Sequence, residues 1–155
     1  MIALIAAVSK NGIIGNKGRI PWKIKGEQKR FKELTWGNVV VMGRRSYEEI
    51  GKPLPGRTTI VVSNTLELNE ENCFTAGSLL EAVKLAGQRD VYISGGYGLY
   101  REALLLAEKL YLTEIDMEIE GDTYFPYFDK HLFRKEINEV VDGEIPYAYV
   151  TYTRN

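Results

Sequence analysis

One cysteine and one histidine in 155 residues remove much of the chemistry a small protein can carry. The lone thiol, Cys73, can form no intrachain disulfide and no thiolate zinc cluster, which fits a reducing compartment. With His131 as the only imidazole, Ser-His pairs, Cys-His pairs and histidine-rich metal sites would all compete for one side chain. His131 follows Asp129 and Lys130 in a polar stretch, which predicts a solvated loop position. A proton-handling group must then be a carboxylate, a lysine or a tyrosine. No metal site is expected.

Charge of one sign is missing too. Twenty Lys and Arg stand against 21 Asp and Glu, so a net charge of −1 offers no global attraction to nucleic acid or to an anionic membrane. The first apolar run, MIALIAAV, spans eight residues and has no basic lead, so neither a signal peptide nor a membrane span is expected, and a cytoplasmic protein is. What is present is ordinary for a folded chain: 45% hydrophobic and 26% charged residues lie far from the composition of disorder. The length suits one core, and a single domain over residues 1–155 is expected.

Near-continuous apolar runs recur at Met1 to Val8, Val39 to Met42, Thr59 to Val62 and Val91 to Ile93, each ending in Gly, Ser or a charged turn. They read as strands buried on both faces. Helical spacing fills the gaps at Gly26 to Thr35, Ser46 to Ile50, Ser78 to Ala86 and Tyr97 to Leu106, with Leu99, Ala103, Leu106 and Ala107 on one face of the last. Leu110 to Asp116 reads as another strand, and Phe133 to Val141 and Tyr147 to Tyr152 flank a hairpin at Asp142-Gly143. The expected fold is α/β: a mostly parallel eight-stranded sheet with an antiparallel C-terminal edge strand, flanked by about four helices. Ligands of such sheets bind beyond the carboxyl ends of the strands.

Chemistry-bearing residues gather near those ends. Ile24, Glu27, Phe31 and Leu34 share a helix face, with Lys25, Lys29, Arg30 and Lys32 mainly elsewhere, so Glu27 is core-facing. It either complements the helix dipole, worth roughly 0.3 to 1 kcal/mol, or meets a ligand carrying paired N–H donors. Gln28 either lines the same pocket or is solvated. Gly43, Arg44, Arg45 and Ser46 run from a strand into a short helix, either a phosphate site or a basic turn capped by serine. In DVYISGGYGLY, Gly95, Gly96 and Gly98 allow close backbone approach, but the spacing is not that of GxGxxG. GKPLPGR makes a stiff turn ending in Arg57, a guanidinium either suited to a carboxylate or simply solvated, as an arginine after a turn usually is. Ser9 to Pro21, with Gly12, Gly15 and Gly18, reads either as a plain connection or, as its position after the first strand favours, as a mobile lid.

Taken in order, AAVSKNGIIGN, IPW, Glu27 with Phe31, VVVMGRRSYEEIGKPLPGR, ISGGYGLY, LYLTEID and EGDTYFP resemble bacterial dihydrofolate reductases from Met1 to the final strand. The resemblance implies NADPH as cofactor, dihydrofolate as substrate, antifolates as inhibitors and a monomer. It implies that Glu27 bonds the pterin's amidine-like edge with Thr113 in support and Trp22 as a further catalytic group. Ile5, Gln28, Phe31, Lys32, Ile50, Leu54 and Ser94 would contact substrate, and Arg57 would hold the glutamate-tail carboxylate. The cofactor would meet Ala6, Ala7, Ile14, Gly15, Asn16, Gly18 and Ile20 near the nicotinamide. Gly43, Arg44, Arg45, Ser46, Ser63 and Asn64 would take its phosphates, and Gly95, Gly96, Tyr97, Gly98 and Leu99 its pyrophosphate. The peptide between Gly95 and Gly96 is expected to be cis.

Departures from the family pattern carry their own expectations. Gln28 stands where an aliphatic or aromatic residue is usual, Ser94 replaces an aliphatic one, and the run KGEQ from Lys25 to Gln28 resembles reductases insensitive to trimethoprim. Gly98 and Asn64 lack polar or basic groups sometimes used on the cofactor. A pyrimidine reductase of riboflavin synthesis shares this fold and cofactor, but Pro21, Trp22, Glu27, Phe31 and Arg57 favour folate. A nucleotide-binding module without catalysis would have no use for Glu27.

Overall fold

The computed structural model of the chain describes residues 1–16, 22–24 and 26–155. In chain order the strands and helices are β1 (Ile2–Ser9), β2 (Ile13–Gly15), α1 (Glu27–Thr35), β3 (Val39–Gly43), α2 (Arg44–Ile50), β4 (Thr58–Val62), β5 (Asn69–Glu70), β6 (Cys73–Ala76), α3 (Leu79–Ala86), β7 (Val91–Ile93), α4 (Tyr97–Ala103), β8 (Lys109–Ile115), β9 (Thr123–Tyr124), β10 (Phe133–Val141) and β11 (Tyr147–Arg154). A 3₁₀ turn at Lys130–Leu132 carries the exposed His131, as its polar surroundings predict.

The main sheet runs β10-β11-β8-β1-β7-β3-β4-β6-β5. Its six central strands, β8 to β6, are mutually parallel, β11 runs against β8, and β10 returns antiparallel to β11. That is the expected eight-stranded core with one addition: the two exposed residues Asn69 and Glu70 pair antiparallel with β6 at the far edge. Nothing apolar marks them in sequence. A separate ribbon joins β2 to β9.

Alternation along β3 divides the interior. Val39 and Val41 join Leu4, Ile60, Ile93 and Leu110 in the larger core, which α3 and α4 cover through Leu79, Ala82, Leu99 and Ala103. Val40 and Met42 face the other way and, with Val61, form a small cluster against Phe31, Tyr47, Leu54, Leu66 and Leu68. Among the described residues α1 and α2 supply the helical cover on that side, and β1, β3, β4 and β7 all end at the same edge above it. The cleft therefore opens there.

Two local expectations need correction. The α4 helix stops at Ala103, the chain then tightens through the Ala103 carbonyl bond to the Leu106 amide, and Leu104 turns inward while Leu106 is exposed. The 3.6-residue period assumed for Leu106 fails because the last turn is i to i+3. The helix expected from Ser46 begins two residues earlier: α2 starts at Arg44, with Gly43 as its N-cap and Ser46 inside the first turn, so of the two readings of this segment the serine cap is not formed. Ser78 does cap α3, accepting from the Glu81 amide, while the Glu81 carboxylate accepts from the amide of Gly77, the residue before the cap.

Candidate active site

Gly26 adopts φ 92°, a conformation open to glycine, and Glu27 begins α1 directly after it. The carboxylate reaches the sheet: Thr113 Oγ1 donates to it at 2.9 Å from Oε1 and 3.1 Å from Oε2. Thr113 sits in β8 opposite Ala7 of β1 on one side and Tyr149 of β11 on the other. Burial raises the Glu27 pKa above its ordinary 4.5, while the Thr113 hydrogen bond and the positive charge of Arg30 act to lower it. The carboxylate is thus engaged by the sheet through Thr113.

Phe31 and Leu54 flank the small apolar cluster beside this carboxylate. Arg57 is buried: Nε donates to the Pro55 carbonyl at 2.9 Å, Nη1 to Thr35 Oγ1 at 3.3 Å, and the guanidinium lies 5.7 Å from the centre of the Phe31 ring. Thr35 is itself anchored on the Phe31 carbonyl, so α1 and the proline turn hold this cation jointly. Gly56, at φ 73°, packs so closely on Trp36 that an added Cβ would stand 2.2 Å from the indole. Ile5, Trp22 and Ser94 are half-buried, whereas Gln28, Lys32 and Ile50 are exposed.

The turns after β3 and β7 converge. The Gly43 amide donates to the Gly95 carbonyl at 2.9 Å, and the Gly95-Gly96 peptide is cis. Ser46 lies beneath, where a Cβ on Gly95 would come within 2.9 Å of its Oγ. Arg44 is held by Glu48 and Thr65, each at 2.6 Å, and Arg45, Asn64, Tyr97 and Gly98 are exposed around it. The Ser63 hydroxyl accepts from the Thr65 and Leu66 amides and so shapes this turn. Leu99 lies in the larger core beside Gly43. Ala6 is buried and Ala7 half-buried on β1. Ile14 and Gly15 belong to the β2–β9 ribbon, and Asn16 follows directly. Gly18, Ile20, Pro21 and Lys25 lie outside the described residues, as does most of the second half of the expected lid.

Several contributors escape the sequence reading. Tyr100 is buried and donates to the Ile5 carbonyl at 2.8 Å, fixing the strand that carries Ala6 and Ala7. Asn11 pairs twice with Ile119, tying the turn after β1 to the loop after β8. Arg30, expected away from the pocket, is half-buried with its guanidinium 3.7 Å from the centre of the Tyr149 ring. Its signal was available: Arg30 lies three residues after Glu27, one turn along the same side of the helix.

This geometry has counterparts among known proteins. The family model described as dihydrofolate reductase matches residues 1–154. Dihydrofolate reductase type A13 of Escherichia coli is 38% identical over 99% of this chain and 94% of its own length, and dihydrofolate reductase type 3 of Salmonella typhimurium is 46% identical over 81% and 78%. A solved dihydrofolate reductase from Enterococcus faecalis, complexed with NADP(H) and RAB-propyl, superposes with a TM-score of 0.90 at 34% identity, covering 100% of this chain and 96% of its own. With its Glu27–Thr113 pair and its paired glycine turns, the chain belongs to the dihydrofolate reductase family of NADPH-dependent oxidoreductases.

Proposed function

We propose that this chain reduces dihydrofolate to tetrahydrofolate, with Glu27 anchoring the pterin and promoting its protonation. The observation that carries the reading is the half-buried carboxylate fixed by the Thr113 hydroxyl of β8. A carboxylate so held accepts two N–H donors from an amidine-like edge. It also favours positive charge on the ring, so the nitrogen beside the reacting carbon gains a proton from water while Glu27 stays on the other edge. Phe31, Ile50 and Leu54 would pack on the ring and its linker, and Arg57 would take the tail carboxylate.

The residues present fit the cofactor. Gly43, Gly95 and Gly96 approach one another at distances that side chains would fill, and Arg44, Arg45 and Ser46 add charge and hydrogen-bond donors for phosphates. When bound there, NADPH supplies the hydride. Among the described residues no helix is long and apolar enough to cross a membrane; a cytoplasmic monomer is part of the proposal.

The assay is the fall in NADPH absorbance with dihydrofolate, repeated with Glu27→Gln. Absence of turnover by folded wild-type protein would falsify the reading. Undiminished activity of Glu27→Gln at neutral pH removes the role given to that residue. The proposal extends to reduced sensitivity to trimethoprim through the exposed Gln28 at the cleft entrance. Wild-type inhibition should be weak and Gln28→Leu inhibition stronger; nanomolar inhibition of the wild type counts against it.

A further inference from the structure

The guanidinium of Arg30 lies against the Tyr149 ring, and its Nη1 is buried without a protein acceptor among the described residues. A buried cation with an unpartnered donor is costly unless opposite charge lies near. Tyr149 is the register neighbour of Thr113, whose hydroxyl bonds Glu27, so Arg30 is held over the pair that forms the base of the pterin pocket. None of the ion pairs among the described residues joins Arg30 to Glu27. The two charges act on each other across a gap within a half-buried site.

We infer that Arg30 is a positioning residue for the proposed reduction: its fixed charge, held by Tyr149, keeps Glu27 in the carboxylate form that receives the pterin edge. The inference rests on the reductase reading for its catalytic meaning. The groups facing the pair are Thr113 and Tyr111 from β8, Tyr149 from β11 and Glu139 from β10; Glu27 and Arg30 are the pair's own charges on α1. Arg30 is the single cation among them. Burial pushes Glu27 up, and Arg30 is the charged neighbour that opposes this, so its loss moves the carboxyl further towards the neutral form.

The experiment titrates Glu27 by carboxyl-carbon NMR in the ligand-free protein and measures kcat/KM against pH. It compares wild type with Arg30→Met, Arg30→Gln and Arg30→Lys. Both neutral variants should titrate higher by about half a unit or more, and the pH of half-maximal kcat/KM should move the same way. Arg30→Lys should restore most of the shift although it loses the planar stack. Two neutral variants guard against one failing to fold. A Glu27 titration unmoved in the neutral variants, or moved equally by Lys, overturns the inference. The NMR arm needs no turnover, so an inactive wild type with a shifted titration defeats the reductase reading and leaves the Arg30–Glu27 coupling standing.

Discussion

Thr113 Oγ1 lies 2.9 Å from one oxygen of Glu27 and 3.1 Å from the other, so one hydroxyl from β8 steadies both ends of the carboxylate that begins α1. Thr113→Val keeps the shape and removes the donor. Hydrogen bonds to charged groups are worth more than neutral ones, so kcat/KM should fall about tenfold to a hundredfold. The acid limb of the pH profile should move upward, because the bond favours the charged form. A Thr113→Val enzyme with an unchanged profile would detach Thr113 from catalysis.

Glu27 should weaken the ligand-free fold. Its folded pKa is raised above 4.5, so the native state holds the proton more tightly than the unfolded chain. Stability is then fully present below pH 4.5 and is lost as pH rises through the folded value. Glu27→Gln removes that slope. Thermal melts should show the variant more stable than wild type at neutral pH, with the difference closing in acid. A less stable variant at neutral pH would contradict the sign.

Arg57 offers a test with an internal control. Arg57→Met should raise the KM for dihydrofolate about tenfold or more, through loss of a charged grasp on the tail carboxylate. Dihydropteroate, which lacks that tail, should be reduced equally well by both proteins. Equal losses on both substrates would show that Arg57 serves the packing of Phe31 and Thr35 instead.

Gly56 precedes Arg57 and packs against the Trp36 indole. Gly56→Ala places a Cβ 2.2 Å from the Trp36 ring at φ 73°, so a cost of about 1–3 kcal/mol is expected in urea unfolding. Adding Trp36→Ala should relieve the steric part and leave the backbone strain. A Gly56→Ala protein as stable as wild type would mean that the turn relaxes away from the indole.

Much of the sheet was legible in sequence because strands such as β1, β3 and β4 are near-continuous apolar runs ending in turns marked by glycine or serine, whereas β6, Cys73-Phe74-Thr75-Ala76, carries no such run. Asn69 and Glu70 were not, since an exposed two-residue edge strand is specified by its partner's free backbone rather than by its own side chains. The same division runs through the site. Glu27 was visible as an acid in an apolar stripe, but Arg30 looked like one more surface cation. Its spacing of three from Glu27 put it on the same side of the helix, but the Tyr149 ring that it lies against comes 119 positions later in the chain. Leu106 failed for a related reason: the period is correct only while the helix lasts.

The hydrogen bond from Thr113 to Glu27 spans 86 residues of sequence, and the Asn11 pairing with Ile119 spans 108. Neither can form until β8 has docked beside β1, a late closure for a contact so distant along the chain. Collapse and helix formation can therefore be nearly complete in a molecule that turns over nothing. In refolding from urea, recovered enzyme activity should lag the recovery of helical circular dichroism. The catalytic assay thus becomes a reporter of long-range strand pairing.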